Sequence, residues 1–128
     1  MLQQIIYGIV PVKSMDRAIR WYTDVLGMEF IWHSEDEDLA QMNLPSGQMV
    51  FLRETSHDTT ATFSYNYKPH GVIGFQTDDI YKLYGHLKKH DVQVEEIHED
   101  GEGNAFLDFY DLDGNLFNVQ CDVKVGEG

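Results

Sequence analysis

Residues 109–117 read FYDLDGNLF, and this stretch sets the frame for the rest of the chain. Asp113-Gly114 lies between two β-rich runs, and such a pair supplies the positive φ values of a tight hairpin. Ala105 to Asp111 and Leu116 to Asp122 are therefore predicted to be antiparallel strands joined by a turn over Leu112-Asp113-Gly114-Asn115. A similar turn, Pro45-Ser46-Gly47, joins predicted strands Leu39 to Leu44 and Gln48 to Glu54. Gly47 and Gly114 are 67 positions apart, so Phe51 falls opposite Asn118. His33-Ser34-Glu35-Asp36 and His98-Glu99-Asp100 match at an offset of 65. The chain thus repeats itself internally.

Upstream of each turn the same order of elements recurs. In the first half, residues 2–12 read as a strand, with Pro11 marking an edge or crossover. A helix is predicted from Ser14, its N-cap, to Leu26, with Ala18, Ile19, Tyr22, Val25 and Leu26 at helical spacing and Gly27 as the stop. Met28 to His33 is the next strand. In the second half, His70 to Thr77 reads as a strand and Asp79 caps a helix from Ile80 to about His90. Val92 to His98 is a strand ending in an acidic turn. The polar, aromatic stretch 55–68 reads as the connection and 123–128 as a loose tail. Each half is strand–helix–strand–strand–strand: 2–54 and 69–122. The expected class is α+β. Two such βαβββ modules set edge to edge curl into a half-open mixed barrel, with helices outside and a cavity inside.

The chain has 128 residues, 42% of them hydrophobic, which suits one domain of 1–128 with a sizeable core. No apolar run reaches membrane-spanning length and no leader pattern opens the sequence. The single cysteine, Cys121, has no internal disulfide partner, so a reducing, cytoplasmic location is expected. A net charge of -13 argues against nucleic acid and anionic membranes as partners. Residues 91–128 hold eleven acids against one lysine, which reads either as a solubilising surface or as an acidic mouth for a cationic ligand.

Residues 12–28, VKSMDRAIRWYTDVLGM, resemble the opening motif of the vicinal oxygen chelate superfamily. Residues 74–80, GFQTDDI, and 109–117, FYDLDGNLF, are similar to its middle and closing motifs. That superfamily includes glyoxalase I, extradiol dioxygenases, fosfomycin-resistance enzymes and bleomycin-binding proteins. The resemblance implies the half-open barrel derived above. It also implies four places for metal ligands, usually His, Glu or Gln. Carried over by motif, these are Tyr7, Phe51 or a neighbour, Val72, and Asn118. Valine and phenylalanine cannot ligate, and a phenol and a carboxamide suit a borderline divalent ion poorly. A slip of one or two residues brings in only His70, Gln120, Arg53 or Glu54. No metal and no other cofactor is expected at the usual site.

Strand alternation sets further side chains beside those four: Ile5, Ile9 and Pro11 around Tyr7, Met49 and Arg53 around Phe51, His70 and Gly74 around Val72, and Leu116 and Gln120 around Asn118. The predicted ligand-binding set is Tyr7, Phe51, Arg53, His70, Val72, Asn118 and Gln120. It suits a small organic molecule and contains no catalytic nucleophile or paired carboxylates. Tyr7 and Phe51 equally suit a role as cavity plugs, and Asn118 and Gln120 a role as strand ties. Phe63, Tyr65 and Tyr67 suit either a groove cap or a subunit interface. His33 and His98 read as solvated turn positions.

The metal-free bleomycin-binding members are the nearest likeness: small acidic dimers, with a proline equivalent to Pro11 that accompanies exchange of the first strand. Where that group often has Trp-Gly, this chain has Gly103-Asn104-Ala105. Three readings stand: a metal-free small-molecule binder or sequestrant acting as a homodimer; a lyase, isomerase, thiol transferase or dioxygenase using Zn, Ni, Mn or Fe; and an interaction scaffold with a plugged cavity.

Overall fold

The computed structural model describes residues 1–122; the expected tail 123–128 lies outside the described residues. The class is α+β, with two helices and mixed sheets among the described residues. Two compact units form, Met1–Ala61 and one that begins at Thr62.

In the first unit the order is β1 (Tyr7–Val12), α1 (Met15–Asp24), β2 (Glu29–Ser34), β3 (Leu39–Asn43) and β4 (Met49–Glu54), with strands arranged β1-β4-β3-β2. β1 runs parallel to β4 and the other pairs are antiparallel. Apolar residues at every second position turn Val10, Val12, Ala40, Met42, Val50 and Leu52 toward Met15, Ala18 and Tyr22 of α1, and all are buried. Each such side chain contributes roughly 1.5–3 kcal/mol of burial. The helix stops at Gly27, whose φ of 71 lets Met28 N–H reach back to Tyr22 O at 3.1 Å. Its start differs from expectation. Ser14 occupies the N-cap position but makes no side-chain cap bond. Glu54, from β4, accepts Met15 N–H on Oε2 at 2.7 Å instead. The first strand is shorter than predicted because its partner β4 begins opposite Tyr7, so residues 2–6 run past that strand's end.

The second unit opens with a hairpin that replaces the predicted connection. β5 (Thr62–Tyr65) and β6 (Lys68–Gly71) flank Asn66 and Tyr67, both at positive φ, 51 and 63, as a tight two-residue turn requires. The predicted single strand from His70 to Thr77 is therefore two: β6, then β7 (Ile73–Gln76), with Val72 at the break. α2 (Ile80–Lys89) starts as expected, with Asp79 Oδ1 accepting Lys82 N–H at 3.0 Å. The strand predicted over Val92 to His98 reduces to a Val94–Phe109 bridge and β8 (His98–Glu99). β9 (Asn104–Tyr110) and β10 (Leu116–Asp122) form the predicted hairpin, and the order is β7-β10-β9-β8 with β7 parallel to β10. In the joining turn only Gly114 takes positive φ. Asp111 closes it, with Oδ1 accepting the N–H groups of Asp113 and Asn115 at 2.9 Å and Oδ2 accepting Asn115 Nδ2 at 2.8 Å. Leu107, Phe109, Phe117 and Val119 bury against Ile80 and Leu87.

Candidate functional site

Each four-stranded sheet has one face sealed by its helix and one that is open. In the first unit the open face is read off the register: Ile9, Phe51, Gln41 and Trp32 lie in one row across β1, β4, β3 and β2. Tyr7 and Met49 lie before that row, Pro11, Arg53 and Leu39 beyond it. Tyr7, 43% exposed, lays its ring 4.4 Å from Phe51, and Trp32 sits 5.9 Å from Phe51 on the other side. Three aromatic rings thus make a continuous apolar strip, with Gln41 Nε2 bonded to Asn43 Oδ1 at 2.9 Å beside it and the exposed Arg53 at its end.

The open face of the second unit is chemically different. Its central row is Gly74, Asn118 and Asp108, and the next row is Gln76, Gln120 and Phe106. Asn118 Nδ2 donates to Asp108 Oδ1 at 2.9 Å. A pocket of about 360 Å³ opens over this face, lined by Gly74, Phe75, Gln76, Asn118, Gln120 and Asp122. Val72, 65% exposed, precedes β7.

The sequence-predicted residues are therefore distributed as follows. Tyr7, Phe51 and Arg53 share one face; Asn118 and Gln120 share another with Gly74. His70 does not flank Val72 along one strand. It belongs to the hairpin, where Phe63 stacks on it at 5.5 Å and Tyr65 meets it edge-on at 5.4 Å. That aromatic group sits on one side of the hairpin; the other side turns Gly71 against Leu116. Leu116 is buried and Ile5 lies outside β1.

Trp32, Gln41, Gln76, Phe106 and Asp108 share the open faces and were absent from the predicted set. The signal for them is the same alternation, carried one strand further across each hairpin. His33 lies in β2 and, half-buried, lines a hollow of about 250 Å³ with Asp16, Glu35, Asp38 and Glu54. A larger hollow of about 740 Å³ beside the start of α2 reaches the buried thiol Cys121. Among the described residues, no three His, Cys, Asp or Glu side chains are arranged to hold a metal ion. The donor chemistry agrees position by position: the Tyr7 phenol packs on a ring, Val72 offers an isopropyl group, and Asn118 offers one neutral carboxamide oxygen while its NH₂ donates to Asp108. These residues do not fit the divalent ion of the metal-dependent superfamily members.

Residues 3–119 match the profile of the Glyoxalase/Bleomycin resistance protein/Dioxygenase superfamily. No curated protein matches the chain in sequence. Among solved structures, the fosfomycin resistance protein FosX of Listeria monocytogenes superposes with a TM-score of 0.77 at 18% identity, covering 96% of this chain and 94% of that one. TioX from a Micromonospora species gives 0.73 at 14% identity, covering 94% and 100%. A superfamily member from Sphaerobacter thermophilus gives 0.73 at 23% identity, covering 93% and 97%. At these identities the likeness is one of fold. No helix among the described residues is long and apolar enough to cross a membrane.

Proposed function

We propose, given that the chain belongs to the Glyoxalase/Bleomycin resistance protein/Dioxygenase superfamily, that it binds and sequesters a small organic molecule without a metal at the usual site. One observation carries this reading. The positions that would ligate an ion instead build solvent-open organic surface: an aromatic strip around Phe51 and an amide-rich pocket at Asn118. Rings offer stacking area and amides offer directional hydrogen bonds, the combination typical of small-molecule sites. The acidity of the chain favours a cationic ligand. FosX is a fosfomycin resistance protein, and one of its structures holds Mn(II) and sulfate; a resistance role by capture rather than metal chemistry accords with the residues here.

A homodimer goes with this reading. Phe63, Tyr65 and Tyr67 of the hairpin, outside the unit that carries the aromatic strip, leave substantial apolar area exposed, and a second copy would cover it. The free, buried Cys121 suits a reducing cytoplasm.

The test combines elemental analysis with thermal shift. Protein purified without chelator should carry no stoichiometric Zn, Ni, Mn or Fe. Ligands from a bleomycin and fosfomycin panel should raise Tm equally with and without EDTA. A ligand at about one hundred times its Kd adds ~2.7 kcal/mol of stability. Stoichiometric metal, with ligand binding abolished by EDTA, overturns the proposal in favour of a metal enzyme.

A further inference from the structure

Asp108 lies at the middle of the open face of the second four-stranded sheet, and among its described strands no lysine or arginine stands beside it. β7, β9 and β10 contain no lysine, arginine or histidine, and β8 contributes only His98. A carboxylate only accepts hydrogen bonds, so the Asn118 contact must run from its NH₂ group. That bond fixes Asp108 Oδ1 and leaves Asn118 Oδ1 on the Gly74 side, where a Cβ on Gly74 would meet it at 3.9 Å. Phe106 and Tyr110, two residues to either side of Asp108 on β9, share its face. Glu95 N–H donates to Asp108 O at 2.8 Å, which brings a second acidic residue alongside. The open face therefore sets a half-buried carboxylate, flanked by two rings, across Asn118 from a pocket that offers the Asn118 amide oxygen, the Gln76 and Gln120 carboxamides and a floor that Gly74 leaves bare.

We propose that this open face, the pocket at Gly74 together with Asp108 beside it, recognises a protonated amine or amidinium carried on a small ring, with Asp108 as the group that determines specificity. The inference rests on the reading of the chain as a small-molecule binder and names the ligand chemistry of one of its faces. Asp108 meets the cation through a charge-assisted hydrogen bond. Asn118 Oδ1 and the carboxamides of Gln76 and Gln120 accept its remaining N–H groups, and the rings cover its apolar part.

Benzamidine and its neutral isostere benzamide are the probes, followed by ¹H–¹⁵N NMR titration of the full chain. Benzamidine should shift the side-chain amides of Asn118 and Gln120 and bind about tenfold or more tightly than benzamide, as charge assistance implies. Asp108→Asn should abolish that preference, bringing benzamidine down to the affinity of benzamide. Gly74→Val should block both probes, because its side chain enters the pocket from a strand position with no positive φ. Far-UV circular dichroism and urea unfolding establish that both variants are folded. Equal affinity for the two probes, or a preference that survives Asp108→Asn, overturns the role of Asp108. Failure of both probes on this face overturns it as well. In either case, binding from the bleomycin and fosfomycin panel would leave the small-molecule reading standing, and only the absence of all binding removes both.

Discussion

The start of α1 offers a test of the fold in which sequence and structure disagree. Ser14 has the composition of an N-cap, yet its side chain makes no cap bond; Glu54, 39 positions away, accepts Met15 N–H at 2.7 Å. Glu54→Ala removes a capping bond, about 1 kcal/mol, and the favourable interaction of its charge with the helix dipole, about 0.5 kcal/mol. The expected loss is roughly 1.5 kcal/mol. With an unfolding entropy of about 2.1 cal/mol/K per residue over this chain, Tm should fall by roughly 5 °C. Glu54→Gln keeps an acceptor and should lose about a third as much. Ser14→Ala should stay within about 0.5 kcal/mol of the parent. Thermal and urea unfolding of the three variants, with matched m-values, checks this. If Ser14→Ala costs as much as Glu54→Ala, the helix is capped locally and the reasoning fails. Ligand binding should be indifferent to Glu54→Ala, because Glu54 points to the helix side of β4 and Phe51 to the open side.

Gly71→Ala should cost about 2 kcal/mol, because its Cβ would lie 2.5 Å from Leu116 O, a backbone atom with little freedom to yield. Gly74→Ala, whose Cβ meets nothing closer than 3.8 Å, should leave stability unchanged or slightly raised, and equilibrium unfolding separates the two. Tyr7→Ala should weaken ligand binding while lowering stability by less than about 1 kcal/mol, since the ring is 43% exposed; a large stability loss with intact binding would make Tyr7 a plug. Asp100 accepts N–H from Glu102, then the side chain and N–H of Asn104, which holds its carboxyl below the ordinary 3.8. A carboxyl lowered on folding stabilises the fold above its ordinary value, and the contribution fades as pH falls through the folded value. Carboxyl-detected NMR should therefore place the Asp100 midpoint below 3.8, and a midpoint at or above it refutes the turn geometry.

What was legible followed from local or strictly periodic signals. α2 starts where Asp79 says it should because that cap bond spans three residues. The shared faces of Tyr7 with Ile9 and Pro11, and of Phe51 with Arg53, were readable because a strand's period of two is fixed by its geometry, whereas the pairing of the two strands came from the family resemblance. The β5–β6 hairpin was not, because Tyr67 at positive φ is an uncommon choice and offers no glycine to flag the turn. The Glu54 cap was invisible because it depends on a strand pairing distant in sequence. Asp108 was within reach. Leu116 pairs with Tyr110 across the Gly114 turn, so counting two residues along each strand sets Asp108 opposite Asn118.

The two halves show which positions the fold dictates and which it leaves free. Val50 and Leu52 correspond to Phe117 and Val119 at the 67-residue offset, and all four are buried apolar side chains beneath a helix. On the open side the same offset pairs Phe51 with Asn118 and Arg53 with Gln120. Packing demands hydrophobicity of the first group in both halves and makes no such demand of the second. The second group differs between the halves: an aromatic strip in one unit, and in the other an amide-lined pocket beside Asp108. The misfit of these residues to a divalent ion is also more than one substitution deep. Asn118→Glu would restore a ligand type there, but it would set a carboxylate directly across from Asp108, where like charges repel. The neighbours of Asn118 are arranged for the amide it carries, because Asp108 is the carboxylate that its NH₂ group meets.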